Sequence, residues 1–181
     1  MADMLDAIQA AFAAQSYTYQ TFTLGSGRKL RVVVAQGTPD AGLTAHLSFD
    51  GCMVEWPEVR KGRRLMPFVA TYGGPDQDAA FHAAHLLDWA LSKGVPPRPG
   101  EIVLTLGHSA ELPHVRFDYP FPWEQARPFE IHVDDLIVIP VMAYSISEAE
   151  ARLQLDQGAK ALEALYAERS TRLFDRKRTG T

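Results

Sequence analysis

Two histidines and a tryptophan in one predicted helix form the sharpest cluster of residues that could do chemistry. Residues 79–93 read as a helix that ends at Gly94, with a proline shortly beyond. On a helical wheel its alanines and leucines share one face, whereas His82, His85 and Trp89 lie on the opposite face. The sequence therefore predicts a stripe of rings on the outer side of this helix.

This stripe permits three interpretations. Neutral imidazoles three positions apart can converge on a metal ion, but a zinc site needs a third and usually a fourth ligand. Neither a Cys-x-x-Cys nor a His-Glu-x-x-His pattern supplies them, so they would have to come from His108, His114 or His132. The other two interpretations are a partner-binding surface and a partly exposed helix face without a separate function.

The side chains that could act as nucleophiles lack the partners that such catalysis needs. Ser109 follows His108, but adjacent side chains usually project differently, and no Gly-x-Ser-x-Gly turn surrounds them. Cys52 is the one cysteine of the sequence, without a Cys-x-x-Cys partner. Asp134 and Asp135, if they lie on a strand, point to opposite faces and cannot share a proton. We therefore expect the protein not to be an enzyme.

A second aromatic cluster lies around a proline-rich turn that follows a predicted strand. Its rings are Phe117, Tyr119, Phe121, Trp123 and Phe129. The prolines hold this segment extended and remove hydrogen-bond donors, so some rings must be covered by loops, by the core or by another molecule. Core packing and a protein-binding patch both remain open. Together with the helix stripe, the candidate partner-binding residues are His82, His85, Trp89, Phe121 and Trp123.

Charge divides the chain into an acidic body and a basic tail. The sequence has 18 basic and 22 acidic residues, a net charge of −4. From Arg169 onward, five basic residues and one acid give +4, so the other 168 residues, with 13 basic and 21 acidic side chains, carry −8. An acidic body repels nucleic acid and attracts basic proteins. The tail, residues 169–181, is poor in apolar side chains, and we expect it to be frayed.

The composition is typical of one globular domain. At 181 residues, with 46% hydrophobic and 22% charged residues, the chain can bury one core but is short for two. A lone cysteine forms no internal disulfide, and the first residues are acidic where a secretory signal is basic. No apolar run approaches the ~20 residues that a membrane helix needs. We therefore expect a cytoplasmic protein that does not cross a membrane.

Hydrophobic periodicity predicts an α+β fold with a mixed, mainly antiparallel sheet and packed helices. The first helix is expected at roughly residues 2–14, and Asp78 is expected to cap the second. Strands are expected at 17–24, 29–36, 43–49, 64–72, 101–106, 114–119 and 136–139. The glycine-rich turn 25–28 makes the first two a hairpin. Pro67 favours an edge position or a bulge for its strand.

Residues 129–168 are predicted to form a buried strand followed by one long helix. We expect Pro140 to end the strand. Ser145 and Ser147 each precede a glutamate by three positions, so two overlapping capping boxes mark the helix start. Gly158 falls on the apolar stripe of this helix together with Leu155. A glycine on a buried stripe predicts that another backbone passes too close for a side chain.

The order of these features resembles the suppressor-of-fused-like domain family over roughly residues 40–170. The matching residues of the last segment are Ile139, Pro140, Glu148, Glu150, Gly158, Ala161 and Leu162. Earlier, the strand 43–48 lies where the family has Thr-x-Gly-x-Ser, although His46 replaces the middle glycine. The run 96–103 resembles the proline- and glycine-containing lead into a strand that follows the family's helix.

The resemblance implies a function in protein binding. In this family the animal member sequesters a zinc-finger transcription factor, and compact single-domain bacterial relatives are associated with immunity against polymorphic toxins. A lone domain with an acidic body resembles the bacterial type, which implies a non-enzymatic domain that neutralises a basic toxin domain without a cofactor. The alternatives are a small metal-binding protein or hydrolase that uses His82 and His85, and a structural subunit or homodimer that uses the aromatic turn.

Overall fold

The computed structural model describes residues 2–123 and 129–180, in which two groups of four strands are separated by a helix and flanked by helices. Positions 1, 124–128 and 181 of the predicted single domain lie outside this description. The helices are α1 (Ala2–Phe12), α2 (Gln77–Lys93), α3 (Glu148–Gln157) and α4 (Ala159–Arg169). The strands are β1 (Ser16–Thr23), β2 (Lys29–Gln36), β3 (Leu43–Ser48), β4 (Arg63–Tyr72), β5 (Ile102–Val103), β6 (His114–Asp118), β7 (Ile131–Val133) and β8 (Leu136–Ile146).

The eight strands of the described residues form one open sheet. Its order is β1-β2-β3-β4-β8-β6-β5, and β7 pairs with the first part of β8. The pairing is antiparallel throughout except between the central strands β4 and β8, which are parallel. The first four strands form a meander in which each strand pairs with the next. The predicted α+β class and mixed, mainly antiparallel sheet are confirmed.

Helices cover both faces of this sheet, and each face has its own hydrophobic core. On one face, Ile8 and Phe12 of α1 and Leu162 of α4 pack against the sheet. On the other face, the alanines and leucines of α2, such as Ala83 and Leu87, are fully buried. The small alanines allow α2 to lie close to the strands, which leaves its opposite side facing outward.

Two prolines lie inside long strands, contrary to the sequence-based expectations. β4, which contains Pro67, is a central strand. Pro67 directly precedes Phe68, the residue at which the pairing with β3 ends. β8 continues through Pro140, which lies between the part paired with β7 and the part paired with β6. Proline lacks the N–H group that a ladder requires. Both prolines are tolerated because each lies where pairing with an antiparallel neighbour is interrupted.

The start of α2 differs from the prediction, whereas its end agrees. The cap is Asp76 and not Asp78, because an Asp76 side-chain oxygen accepts the backbone N–H groups of Asp78 (2.9 Å) and Ala79 (3.1 Å). Gly94 ends the helix in the left-handed conformation at φ 67°, as its glycine predicted. The strand expected at 101–106 is shorter and covers Ile102–Val103.

The predicted long C-terminal helix is two helices that meet at Gly158. Gly158 has φ 88° and ψ 167°, a conformation open essentially to glycine alone. A Cβ built on it meets nothing within 4 Å, so the predicted close backbone contact is wrong. The break shifts the helical phase, so Leu155 is 66% exposed although Leu162 is buried. Of the two predicted capping boxes only the one at Ser147 forms, because Ser145 belongs to β8.

Replacing Gly158 is therefore expected to destabilise the fold through backbone strain and not through steric overlap. We expect Gly158→Ala and Gly158→Leu each to lower the free energy of unfolding by about 1–3 kcal/mol, with similar values for the two. Gly74, which also meets nothing within 4 Å but has no positive φ, provides the control Gly74→Ala. Urea denaturation of the three variants measures this, and a much larger loss for leucine than for alanine would restore the close-contact hypothesis.

Candidate functional site

The outer side of α2 carries a row of rings spaced four residues apart. Phe81 is 45% exposed, and the imidazole of His85 stacks on it with a centroid separation of 6.3 Å and an interplanar angle of 6°. Phe22 of β1 meets Phe81 edge to face at 5.7 Å. Trp89 lies one turn beyond His85 and is half-buried against the core beneath α2. We call these four side chains the α2 aromatic face.

His82 does not belong to this face, although the helical wheel placed it there. Its side chain is buried, and Nε2 donates to the carbonyl oxygen of Leu106 at 3.0 Å. Burial lowers the pKa of His82 to about 4, so the ring is neutral at physiological pH. His82 therefore faces the loop after β5, whereas His85 faces outward. Sequence analysis did not single out Phe81, which precedes His85 by one helical turn. Phe81 takes the place on the outer stripe that His82 was predicted to occupy.

The histidines considered as further metal ligands have other partners. His108 lies beside His82 at a ring separation of 6.1 Å, but its two nitrogens contact Ser145 Oγ and the carbonyl oxygen of Arg176. His114 bonds Glu148 at 2.6 Å, and His132 is an exposed residue near Glu130. Within residues 2–123 and 129–180, no three His, Cys, Asp or Glu side chains are grouped as a metal site requires.

The side chains considered as nucleophiles are either buried or engaged in hydrogen bonds within the fold. The hydroxyl of Ser109 accepts the backbone N–H of Leu112 at 3.1 Å, and the neighbouring His108 bonds Ser145 instead. Cys52 is fully buried, and burial raises its pKa to about 12, so the thiol stays protonated at neutral pH. The acids at 134 and 135 form the turn between β7 and β8.

A groove of about 330 Å³, lined by both polar and apolar side chains, lies beside the α2 aromatic face. It separates the first turns of α2 from the loop that follows β5. Its lining residues include Phe81, His82, His85, Thr105, His108 and Arg176. The groove joins the exposed rings of α2 to a segment of the basic tail, so both could contact one bound partner.

Trp123 is a core residue and cannot present its ring to a partner. It is 8% exposed and packs between Phe12 at 5.7 Å and Phe68 at 5.2 Å. Its Nε1–H donates to the hydroxyl of Thr38 at 2.9 Å, and that hydroxyl in turn donates to the carbonyl of Phe12. A buried indole needs such a partner, which lies 85 positions away in the sequence.

Phe121, in the same turn, lies at the surface. It is 47% exposed, and one side of its ring stacks on Phe174 at 5.8 Å. Tyr72 and Tyr119 are also exposed, whereas Phe117 is fully buried. The structure therefore brings together the surface rings of the α2 aromatic face, places Phe121 against the tail, and buries Trp123 and His82. Partner binding by His85, Trp89 and Phe121 stays a prediction.

The basic tail is packed against the body, so the predicted frayed end is wrong. Phe174 is 6% exposed and belongs to the core beneath α1 and α4. Arg176 pairs with Asp76, and Arg178 pairs with the fully buried Glu150 of α3. The one signal for this packing in the sequence is the apolar pair Leu173 and Phe174, which a fully solvated tail would not need.

No helix of the described residues is long and apolar enough to cross a membrane.

Known structures share this fold at low sequence identity. No family model and no curated protein matches the sequence. A suppressor-of-fused homologue from Neisseria gonorrhoeae matches with a TM-score of 0.66 and 14% identity over 99% of this chain and 94% of that one. A chain of the Sufu–Fu complex matches with a TM-score of 0.62 and 11% identity over 90% of this chain and 82% of that one.

Suppressor of Fused from Drosophila matches with a TM-score of 0.58 and 9% identity. The match covers 97% of this chain but 44% of the fly protein, so the chain spans less than half of that relative. The three matches agree with the resemblance that the strand and helix motifs gave. The chain therefore has the fold of a suppressor-of-fused-like domain.

Proposed function

We propose that this chain is a non-enzymatic cytoplasmic protein that binds a basic partner protein through the α2 aromatic face. The observation that carries the proposal is Phe81, a large ring left 45% exposed in the middle of a well-packed helix. Phe22 and His85 hold this ring from two sides. A ring held in this way loses little conformational entropy on binding, which is the property of an interface anchor.

Charge supports a basic partner. Asp78 lies exposed in the first turn of α2 and borders the groove next to Phe81. The first 168 residues carry 21 acids against 13 basic side chains. Such a surface steers basic proteins towards it and raises their association rate, an effect that salt weakens. Binding should therefore slow at high ionic strength, while the apolar contribution of the aromatic face persists.

The structural likeness supports the same class of function. One of the similar proteins was crystallised as the Sufu–Fu complex, in which Sufu has a protein partner. The gonococcal homologue is a compact chain that this sequence covers almost completely. In line with the family's single-domain bacterial members, we propose that the partner is the basic domain of a polymorphic toxin and that this chain is its immunity protein.

The partner surface is tested by affinity capture from the native lysate, followed by titration of the captured protein. We expect Phe81→Ala and Trp89→Ala each to weaken binding by about ten-fold or more, because truncating a central aromatic anchor removes a large share of the binding energy. Leu155→Ala is the matched control, since Leu155 is an apolar residue of α3 that is 66% exposed. If folded Phe81→Ala and Trp89→Ala variants bind as tightly as wild type, the face is not the partner surface.

Immunity is distinguished from a scaffolding role by co-expression. Reading frames beside this one that encode toxin domains would be expressed with and without the chain, and survival would be scored. Protection by the wild type and by Leu155→Ala, but not by Phe81→Ala, supports the proposal. Binding without protection would keep the partner surface and reject the immunity role.

A further inference from the structure

The basic tail occupies a groove on the body in the manner of a bound peptide. Residues 170–180 form neither a helix nor a strand. Their backbone makes two consecutive turns, in which the N–H of Asp175 donates to the carbonyl oxygen of Arg172 at 3.0 Å and the N–H of Arg178 donates to that of Asp175 at 3.1 Å. Phe174 is buried, and the side chains of Arg176 and Arg178 are 18% and 7% exposed. The intervening Lys177 is exposed. The turns direct Phe174, Arg176 and Arg178 towards the body and Lys177 away from it.

An aromatic pocket receives the first of these side chains. The ring of Phe174 lies between Tyr72 and Phe121, with centroid separations of 5.8 Å to each. The backbone N–H of Tyr72 donates to the carbonyl oxygen of Phe174 at 3.3 Å, next to the end of β4. Both pocket rings are themselves partly exposed, whereas the ring of Phe174 between them is 6% exposed.

Histidine and aspartate groups hold the middle of the segment. The Nε2–H of His108 donates to the carbonyl oxygen of Arg176 at 2.7 Å. Its other ring nitrogen lies 2.8 Å from the hydroxyl of Ser145, which fixes the orientation of the ring. The guanidinium of Arg176 reaches Asp76 at 3.2 Å. His108 thus binds the backbone of the segment, and Asp76 binds the positive side chain of Arg176.

A buried carboxylate receives the last side chain. Glu150 is fully buried, and both of its oxygens accept hydrogen bonds from Arg178, at 2.8 Å and 3.2 Å. Arg178 also donates to the carbonyl oxygen of Ser145 at 2.8 Å, and its guanidinium lies over the ring of Tyr166. Two-point recognition of this kind selects arginine over lysine, because only the planar guanidinium matches a carboxylate with two parallel donors.

We infer that this groove is a binding site for a partner's segment that carries an aromatic residue followed by arginines two and four positions later. The chain's own Phe174, Arg176 and Arg178 fill the same three positions and compete with that segment. The acids of the groove belong to the body, and the positive charges belong to the tail, so a basic segment of another protein meets the same complementarity. This site shares His108 and Arg176 with the groove beside the α2 aromatic face, but none of the four rings of that face belongs to it.

The test uses a labelled peptide with the sequence of residues 170–180 and the full-length chain. The double variant Arg176→Glu/Arg178→Glu should release the tail by placing like charges against Asp76 and Glu150. We expect this variant to bind the peptide at least about ten-fold more tightly than the wild type does, because its groove is free. The control Arg152→Glu/Lys177→Glu makes the same change in net charge at exposed positions and should bind the peptide as the wild type does.

The location of binding is tested by adding Asp76→Asn to the double variant. Asparagine caps a helix as well as aspartate does, so α2 is retained while the charge that receives Arg176 is lost. We expect the peptide to bind about ten-fold more weakly to this triple variant. A folded double variant that binds the peptide no better than the wild type overturns the inference, and so does an unchanged affinity on adding Asp76→Asn.

A second preparation covers the case in which the double variant does not fold. A protease site placed between Ser170 and Thr171 allows the folded wild-type chain to be cut after purification. We expect excess labelled peptide to replace the cut segment, as followed by gel filtration and mass spectrometry. A cut segment that stays bound, or a body that unfolds when the segment leaves, shows that the tail is a fixed part of the core and overturns the inference.

Discussion

Replacing Trp123 with alanine is expected to lower the free energy of unfolding by about 3–5 kcal/mol, the range for large aromatic residues in a core. The indole is 8% exposed and fills the space between Phe12 and Phe68. Its removal leaves a cavity and also leaves the hydroxyl of Thr38 without the N–H that it accepts. Urea denaturation followed by circular dichroism measures the loss.

Phe121→Ala provides the matched control, because Phe121 lies two residues away in the same turn and is 47% exposed. We expect this variant to lose about 1 kcal/mol or less, since much of its ring contacts water in the folded state. Equal losses for the two variants, or a stable Trp123→Ala protein, would contradict the assignment of Trp123 to the core. If Trp123 were a surface residue that binds a partner, Trp123→Ala would weaken binding and leave the free energy of unfolding unchanged.

Acidification is expected to destabilise the protein between about pH 6.5 and pH 4. Burial lowers the pKa of His46 and of His82 to about 4, against an ordinary value of 6.5. In this window the unfolded chain binds protons at these residues and the folded chain does not, so stability falls as the pH falls. Each pKa unit corresponds to about 1.4 kcal/mol, so the loss is on the order of 3 kcal/mol for each histidine.

The pH effect is measured by denaturation at several values from about pH 7 to pH 4.5. We expect His82→Gln to flatten the profile relative to wild type, because the variant has no buried imidazole to protonate at this position. His85→Gln is the control, since it makes the same substitution at an exposed position of the same helix. Profiles of equal slope for wild type and His82→Gln would show that this histidine is not the source of acid sensitivity.

Local signals in the sequence were sufficient where one short segment determines the structure. The β1–β2 hairpin has its turn where the glycines predict it, β2 has the predicted bounds, and α2 ends at Gly94. These features depend on backbone conformations that a few adjacent residues select. The matching order of strands and helices then sufficed for the resemblance that the structural comparisons support.

Signals failed where the deciding partner is distant in the sequence. Pro140 lies inside β8 because two different strands pair on either side of it, which no local pattern reveals. Trp123 packs between Phe12 and Phe68, and its N–H finds an acceptor in Thr38, 85 positions away. The tail looks solvated by composition, but its arginines pair with Asp76 and Glu150 of the body. Two of the four side chains of the α2 aromatic face, Phe22 and Phe81, were likewise identified only from the fold.

The parallel pairing of β4 with β8 has a consequence for how the chain reaches its native state. Val69 pairs with Ala143, so the centre of the sheet joins residues more than 70 positions apart. The β1–β4 meander requires no such long loop, since each of its strands pairs with a neighbour. Closing long loops before their contacts form is entropically costly and slows folding. The meander can therefore form early, and the arrival of β8, which also brings β6 and β5 into the sheet, sets the rate at which the two cores are completed.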